Sequence, residues 1–186
     1  MGIELTLAAA VAMLIFGMAA GCEGKTAENS GGENMGTVVE ENGKKVDFEL
    51  ISVLERGTMI GEQEYEIKAA EDGGVIISDY YGAWRFMEEV EKEDCLKRRA
   101  VGGAELYEKA AELLGNCDIK AWNGFDGNNP MVLDGYGFTL EGSLKDGTRL
   151  YARGTNAFPD GYDKFMSDIR DLLQEYGEEI PQKETE

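Results

Sequence analysis

The 186-residue chain contains no histidine. That absence excludes Ser-His-Asp and Cys-His catalysis, HExxH zinc sites and histidine general bases. Any catalytic side chain would have to be a carboxylate, lysine, tyrosine or cysteine. Basic residues are scarce as well, because 18 Lys and Arg face 37 Asp and Glu, for a formal net charge of −19. Such a chain repels nucleic acid and anionic lipid headgroups, so we expect neither as a partner.

A short apolar run near the amino terminus predicts export. Residues 5–16 read LTLAAAVAMLIF, which is the length of a signal-peptide core and too short for a comfortable membrane span. The run leads to AAGC, which is similar to the lipobox of bacterial lipoproteins, in which the cysteine is lipidated and becomes the first mature residue. We therefore predict a signal peptide over residues 1–21, lipidation at Cys22, and a lipid-anchored position on the extracytoplasmic face of the cell membrane.

Other interpretations of this terminus stay open. Ala19 stands where a lipobox usually has leucine, and the first residues carry Glu4 but no Lys or Arg. Ordinary secretion with cleavage before Cys22, or a retained membrane anchor, would also explain the apolar run. The start MGIELT fits the myristoylation pattern at Gly2, but that modification leaves the run unexplained.

The residues after the leader predict one domain between two polar segments. Residues 22–36, the lipidated cysteine and a stretch rich in Gly, Glu, Asn and Ser, indicate a flexible tether. Residues 37–176 are enough for a single domain of the commonest size, and residues 177–186 are expected to be a disordered tail. Strand hairpins come first, followed by helix, hairpin and helix. That order predicts an α+β fold, an antiparallel sheet with two amphipathic helices packed on it.

Three hairpins and two helices support this fold class. The hairpin turns are expected at Asn42-Gly43, at Asp72-Gly73 and in KDGT, residues 145–148. In the first hairpin, Val46, Phe48 and Leu50 should share one face. The helices are predicted in GAELYEKAAELLG, ended by Gly115, and in PDGYDKFMSDIRDLLQEY. The segment from Trp84 to Val101 is ambiguous, and alternation at its start favours a strand.

Few residues suggest a site. Cys95 and Cys117 would form a disulfide in an oxidising compartment, with two buried thiols as the alternative. Tyr80, Tyr81 and Trp84, in DYYGAW, could stack on a sugar or peptide, although ordinary core packing explains them too. Oxygen ligands for calcium could come from Asp126, Asn128, Asn129 and Asp134, but Asx turns are the simpler explanation of these residues. Glycoside hydrolysis could use a carboxylate pair, Glu88 with Glu89 or Asp168 with Asp171, but a solvated face is the simpler explanation of each pair. We predict no metal site, catalytic residue or cofactor.

The carboxyl-terminal half carries three distinctive motifs, WNGFDG, VLDGYGFTL and DGTRLYARGTNAFP. With the closing amphipathic helix they cover about 80 residues, from about Cys95 to Leu172. This block resembles an uncharacterised domain of secreted and lipid-anchored proteins from gut-dwelling Gram-positive bacteria. The resemblance implies a compartment and a fold unit, but it supplies no active site.

Together these patterns predict a binding or interaction module at the cell envelope. Its partners would be the membrane, through the lipid, and an envelope protein or glycan. The alternative is a carboxylate-dependent hydrolase acting on envelope or dietary glycans. A deep cleft with two facing carboxylates about 5–10 Å apart would favour the enzyme, whereas a flat or aromatic-lined surface would favour binding.

Overall fold

The computed structural model describes residues 44–57, 61–82, 84–85, 90–132 and 135–181. Within these residues the chain forms one large, mostly antiparallel sheet and two α-helices, so the α+β class is confirmed. The elements are β1 (Phe48–Gly57), β2 (Gly61–Ala69), β3 (Val75–Gly82), β4 (Leu96–Gly102), α1 (Ala104–Asn116), β5 (Asp126–Asn128), β6 (Tyr136–Leu144), β7 (Arg149–Thr155), α2 (Tyr162–Tyr176) and β8 (Glu178–Glu179). The predicted signal peptide, Cys22 and the tether lie outside the described residues.

The strand order across the sheet is β5-β7-β6-β1-β2-β3-β4-β8. Each neighbouring pair is antiparallel except β5 with β7, which is parallel. Strand β1 is central because it pairs with β2 on one side and with β6 on the other. It therefore joins the amino-terminal strands to the hairpin formed by β6 and β7.

Two predicted hairpins are confirmed, and both turns use the expected chemistry. Gly73 and Gly147 have φ angles of +86° and +85°, a conformation that glycine adopts without the strain of a Cβ atom. Beside each glycine an aspartate accepts a backbone hydrogen bond two residues further on, at 3.0 Å from Gly74 N to Asp72 and at 2.9 Å from Thr148 N to Asp146. These Asx contacts fix the turns locally.

The first predicted hairpin has a different outcome. Its turn at Asn42-Gly43 lies outside the described residues, and its second arm does not keep one face. Val46 and Phe48 are buried, whereas Leu50 is 36% exposed on the opposite side of the sheet. The register of β1 against β6 shifts between Phe48 and Leu50, and this irregularity reverses the alternation that the sequence predicts.

The two faces of the sheet differ. Ile51, Ile67 and Ile77 point to the face that we call the core face, where they share one hydrophobic cluster with Leu106 of α1 and Phe165 of α2. Trp122, from WNGFDG, lies in the same cluster and donates its indole N–H to the backbone oxygens of Cys117, at 3.2 Å, and Asp160, at 2.9 Å. The opposite side, the outer face, carries mainly polar side chains.

Two segments depart from their sequence-based expectations. Trp84 and Arg85 lie in a turn, and among the described residues of this segment the strand begins at Leu96. The tail is not structureless throughout its length. Glu178 and Glu179 pair with Arg99 and Arg98 of β4, because the end of α2 brings them to that sheet edge.

In the structure Cys95 and Cys117 are both buried free thiols, so the disulfide expected from the sequence stays a prediction. The Cys117 thiol contacts the carbonyl of Leu114 at 3.3 Å, near the end of α1. Cys95 lies beside Gly82 at the end of β3, so that a Cβ atom added to Gly82 would meet the Cys95 sulfur at 2.5 Å. The two thiols therefore pack against different elements.

Across the described residues, we find no helix of the length and apolarity that membrane crossing requires.

Candidate functional site

The most unusual feature of the outer face is a row of glutamates along β2. The strand reads GEQEYEIKA, and alternation places Glu62, Glu64 and Glu66 on one side. Glu62 and Glu64 are only 2% and 3% exposed. Acidic side chains are rarely buried so completely unless they are paired, so their partners decide what this row can do.

Glu64 is satisfied on one oxygen only. Its Oε1 accepts hydrogen bonds from Ser52 Oγ at 2.7 Å and from Lys92 Nζ at 2.9 Å. Its Oε2 is buried and accepts no hydrogen bond from the described residues, the Arg85 guanidinium being 3.5 Å away. Burial by itself raises the pKa of Glu64, but the Lys92 and Ser52 hydrogen bonds and the charges of Lys92 and Arg85 outweigh it and hold the pKa below its usual value. Glu64 is therefore an ionised carboxylate with one oxygen free to accept.

Lys92 organises the glutamate row from the segment before β4. Its ammonium lies 2.9 Å from both Glu64 Oε1 and Glu66 Oε2, and 4.3 Å above the ring centre of Tyr80. Tyr80 is itself held by its hydroxyl, which donates to Glu93 at 3.0 Å and accepts from Arg99 at 3.2 Å. Tyr80 thus supports the lysine that orients the glutamates.

A cavity of about 360 Å³ opens beside Glu64. We call it the Glu64 cleft, and its lining residues are Leu50, Ser52, Glu64, Glu66, Arg85, Glu141, Gly142, Ser143, Arg149 and Leu150. Three carboxylates and two guanidinium groups line it, and Lys92 already neutralises part of the acidic charge. The cleft therefore offers hydrogen-bond acceptors and donors together with little net charge.

Strand register extends the cleft into a row across four strands. Glu66 of β2 lies opposite Ser52 of β1, Ser52 lies opposite Glu141 of β6, and Glu141 lies opposite Tyr151 of β7. The side chain of Tyr151 is 51% exposed. An aromatic ring therefore stands on the outer face at the edge of the polar cleft.

The predicted stacking residues do not form one exposed surface. Tyr80 is 2% exposed, and Trp84 is half-buried with its ring centre 6.3 Å from that of Tyr80. Tyr81 is 41% exposed, but it is next to Tyr80 in β3 and so points to the opposite face of the sheet. Strand alternation therefore separates the two tyrosines, and ligand stacking by these residues stays a prediction.

Of the other carboxylates considered from the sequence, two have a basic partner and three lie outside the described residues. Asp126 forms two hydrogen bonds with Arg153, at 3.0 and 2.8 Å, and Asp168 pairs with Lys164 at 2.8 Å. The described parts of the chain hold no cluster of three or more His, Cys, Asp or Glu residues suited to a metal ion. Asp134, Glu88 and Glu89 lie outside the described residues.

Neither a protein-family model, a curated protein nor a solved structure matches this chain. The family resemblance drawn from the motifs of the carboxyl-terminal half therefore stays a prediction.

Sequence reasoning missed Glu64 although a signal was present. In GEQEYEIKA, Glu62, Glu64 and Glu66 stand at every second position, so a strand here had to place all three glutamates on one face. The sequence did not show that these glutamates would be buried, because their burial depends on Lys92 and Arg85. Both residues come from a segment whose structure the sequence left ambiguous.

Proposed function

We propose that this chain is a lipid-anchored extracytoplasmic binding protein whose domain recognises an uncharged saccharide of the cell envelope in the Glu64 cleft. The observation that carries the proposal is the buried, ionised Glu64 carboxylate with one oxygen that lacks a hydrogen-bond donor. Such a group costs about 1–3 kcal/mol of stability. A ligand hydroxyl that donates to Glu64 Oε2 would recover that cost on binding.

The chemistry of the cleft suits a saccharide better than a charged ligand. A sugar hydroxyl both donates and accepts, and the lining provides carboxylates as acceptors and guanidinium groups as donors. Because these charges largely offset each other, an uncharged ligand leaves no charge uncompensated. Tyr151, exposed at the end of the row, would cover the apolar face of a sugar ring.

We further infer that α1 and α2 pack through amphipathic faces on the core face of the sheet. Their apolar residues belong to the same cluster as those of the core face, whereas Glu64, Glu141 and Tyr151 point the other way. This arrangement leaves the outer face for a ligand.

Glycan-array screening followed by calorimetry tests the proposal directly. The array should carry neutral and amino-sugar oligosaccharides together with isolated envelope polysaccharide. Glu64→Gln keeps the shape of the side chain but removes its charge and one acceptor oxygen, so we expect at least tenfold weaker binding. Glu71→Gln, at an exposed position in the β2–β3 turn, is the matched control and should bind like the wild type. Failure of every saccharide to bind, or equal binding by Glu64→Gln, would overturn the proposal.

One observation favours a second candidate, hydrolysis of a glycan. Glu66 and Glu141 flank Ser52 on neighbouring strands, so their backbones are about two strand spacings, or about 10 Å, apart. That separation reaches the range of inverting glycosidases. The lowered pKa of Glu64 suits an ionised binding group rather than the general acid that this reaction needs. Release of reducing ends that Glu66→Gln and Glu141→Gln both abolish would establish the enzyme instead.

The lipid anchor has a separate test. The intact mass of protein from the native host should begin at Cys22 and exceed the peptide mass by a diacylglyceryl group. A Cys22→Ala variant should leave the membrane fraction. An unmodified chain that retains Met1 would contradict the anchor.

A further inference from the structure

A second cavity, of about 520 Å³, lies on the core face, away from the Glu64 cleft. We call it the Arg170 pocket. Its volume is in the range of small-molecule sites. Strands β2, β3 and β4, helix α2 and the segment of β8 line it, with the residues Gln63, Tyr65, Asp79, Lys97, Arg98, Arg170, Glu179 and Ile180.

The pocket has a fixed polar floor. Arg170 Nε donates to the Tyr65 hydroxyl at 3.2 Å, and Gln63 Nε2 donates to the same hydroxyl at 2.7 Å. Gln63 Nε2 also donates to Asp79 Oδ1 at 3.0 Å. Three hydrogen bonds in series therefore connect a guanidinium to a carboxylate and set the distance between them.

The surroundings of Arg170 and Asp79, the two ends of this series, also restrict them. Arg170 Nη2 lies 3.7 Å from the buried carboxylate of Glu55, which also accepts a hydrogen bond from Tyr162 at 2.8 Å. Asp79 is only partly exposed, and its burial raises its pKa. Arg170 and Asp79 are therefore oriented before any ligand arrives, which lowers the entropic cost of binding.

The charge of the pocket differs from that of the whole chain. Three cations, Lys97, Arg98 and Arg170, and two carboxylates, Asp79 and Glu179, line it, which gives a net charge of +1. The chain as a whole carries −19. Arg98 and Glu179 pair with each other at 2.6 Å, whereas Arg170 and Asp79 are the charged groups at the two ends of the hydrogen-bond series.

We propose that the Arg170 pocket binds a free α-amino acid, whose carboxylate pairs with Arg170 and whose ammonium group pairs with Asp79. A guanidinium binds a carboxylate in a bidentate, directional way. A ligand with only a carboxylate would leave Asp79 facing another anion, and one with only an ammonium group would face the positive charge of Arg170. A zwitterion pairs with both groups. Its two hydrogen bonds to the protein, together with the short spacing between its amino and carboxylate groups, span a length similar to that of the three hydrogen bonds from Arg170 to Asp79. This inference is independent of the function proposed for the Glu64 cleft.

NMR titration of the full domain with each standard L-amino acid at millimolar concentration tests the pocket. We expect at least one amino acid to shift the signals of Asp79 and Arg170. For that amino acid, the matched amine that lacks the carboxylate and the matched carboxylic acid that lacks the amine should each bind at least tenfold more weakly. Equal binding by either analogue would overturn the zwitterion, and no response to any amino acid would overturn the proposal.

Two variants locate the binding groups. Asp79→Asn should weaken binding of the amino acid at least tenfold but should not weaken binding of the carboxylic acid analogue, which no longer faces an anion, and Arg170→Gln should weaken both. Lys164→Gln, on the same helix but outside the pocket, is the control and should match the wild type. Because the raised pKa of Asp79 favours its protonated form, amino-acid binding should fall as the pH decreases through that pKa. Glu64→Gln should leave this binding intact, which separates a failure here from a failure at the Glu64 cleft.

Discussion

Alternate residues of β2 give the two faces of this strand different hydrogen bonding and different burial. On the outer face, Glu62 and Glu64 are buried carboxylates with incomplete hydrogen bonding. On the core face, Tyr65 and Gln63 belong to a polar floor whose hydrogen bonds are made, and Ile67 is fully buried in the apolar core. The difference shows that burial alone does not define a core. On the core face the polar groups of β2 make hydrogen bonds with each other, whereas on the outer face Glu64, although paired with Lys92 and Arg85, keeps one oxygen that accepts no hydrogen bond.

The largest effect is expected when an apolar side chain is removed from the core face. Ile67→Ala should lower the free energy of unfolding by about 2–5 kcal/mol, because a fully buried side chain leaves a cavity. Lys68→Ala, next to it on the outer face and exposed, should change stability by less than about 0.5 kcal/mol. Urea unfolding of both variants measures the contrast, and equal losses would mean that the two faces are not distinct.

A smaller loss is expected when the partner of Glu64 is removed. Lys92→Met should cost about 1–3 kcal/mol at pH 7, because it leaves the buried carboxylate with one hydrogen bond fewer. The pKa of Glu64 is below its ordinary value of 4.5, so its ionised form is stabilised by folding. That contribution is present above pH 4.5 and is lost as the pH falls through the folded pKa.

The pH dependence provides the check on Lys92→Met. Urea unfolding at a series of pH values should show the deficit relative to the wild type shrinking as the solution becomes more acidic. A deficit that is independent of pH would point to lost packing of the lysine stem rather than to the charge of Glu64.

The smallest effect concerns Cys117 on the core side. Burial raises the pKa of its thiol from 9.0 to about 12, so folding favours the neutral thiol. This contribution is complete below pH 9 and is lost as the pH rises towards 12, with a slope of at most about 1.4 kcal/mol per pH unit. Between pH 8 and pH 10 the wild type should therefore lose about 1 kcal/mol more than Cys117→Ala.

Alkylation tests the state of both cysteines. Iodoacetamide applied to the unfolded, unreduced chain should label Cys95 and Cys117, since both are thiols in the structure. In the folded chain the buried Cys117 should react far more slowly. Absence of label on both residues after unfolding would show that the pair had formed the disulfide expected from the sequence.

Local signals in the sequence were enough for much of the fold. The Asp-Gly turns and the helical pattern of PDGYDKFMSDIRDLLQEY each depend on neighbouring residues, and the structure has these turns and this helix where they were predicted. The errors lie where distant residues intervene. Leu50 changes face because of a register shift against β6, and Glu178 joins the sheet because β4 offers it an edge.

The sequence by itself determined the class of fold, the two Asp-Gly hairpin turns and the strongly acidic charge. The first two follow from backbone preferences and side-chain periodicity over short stretches, and the third follows from composition. Only the tertiary structure decided that Glu64 would be buried with one free oxygen, that Tyr80 would support Lys92 instead of stacking on a ligand, and that Asp79 and Arg170 would share a pocket. Each of these depends on contacts between residues far apart in the chain, 28 positions for Glu64 with Lys92 and 105 for Tyr65 with Arg170. Short-range periodicity carries no information about such pairs, because the geometry of the sheet and of the segments packed on it creates them.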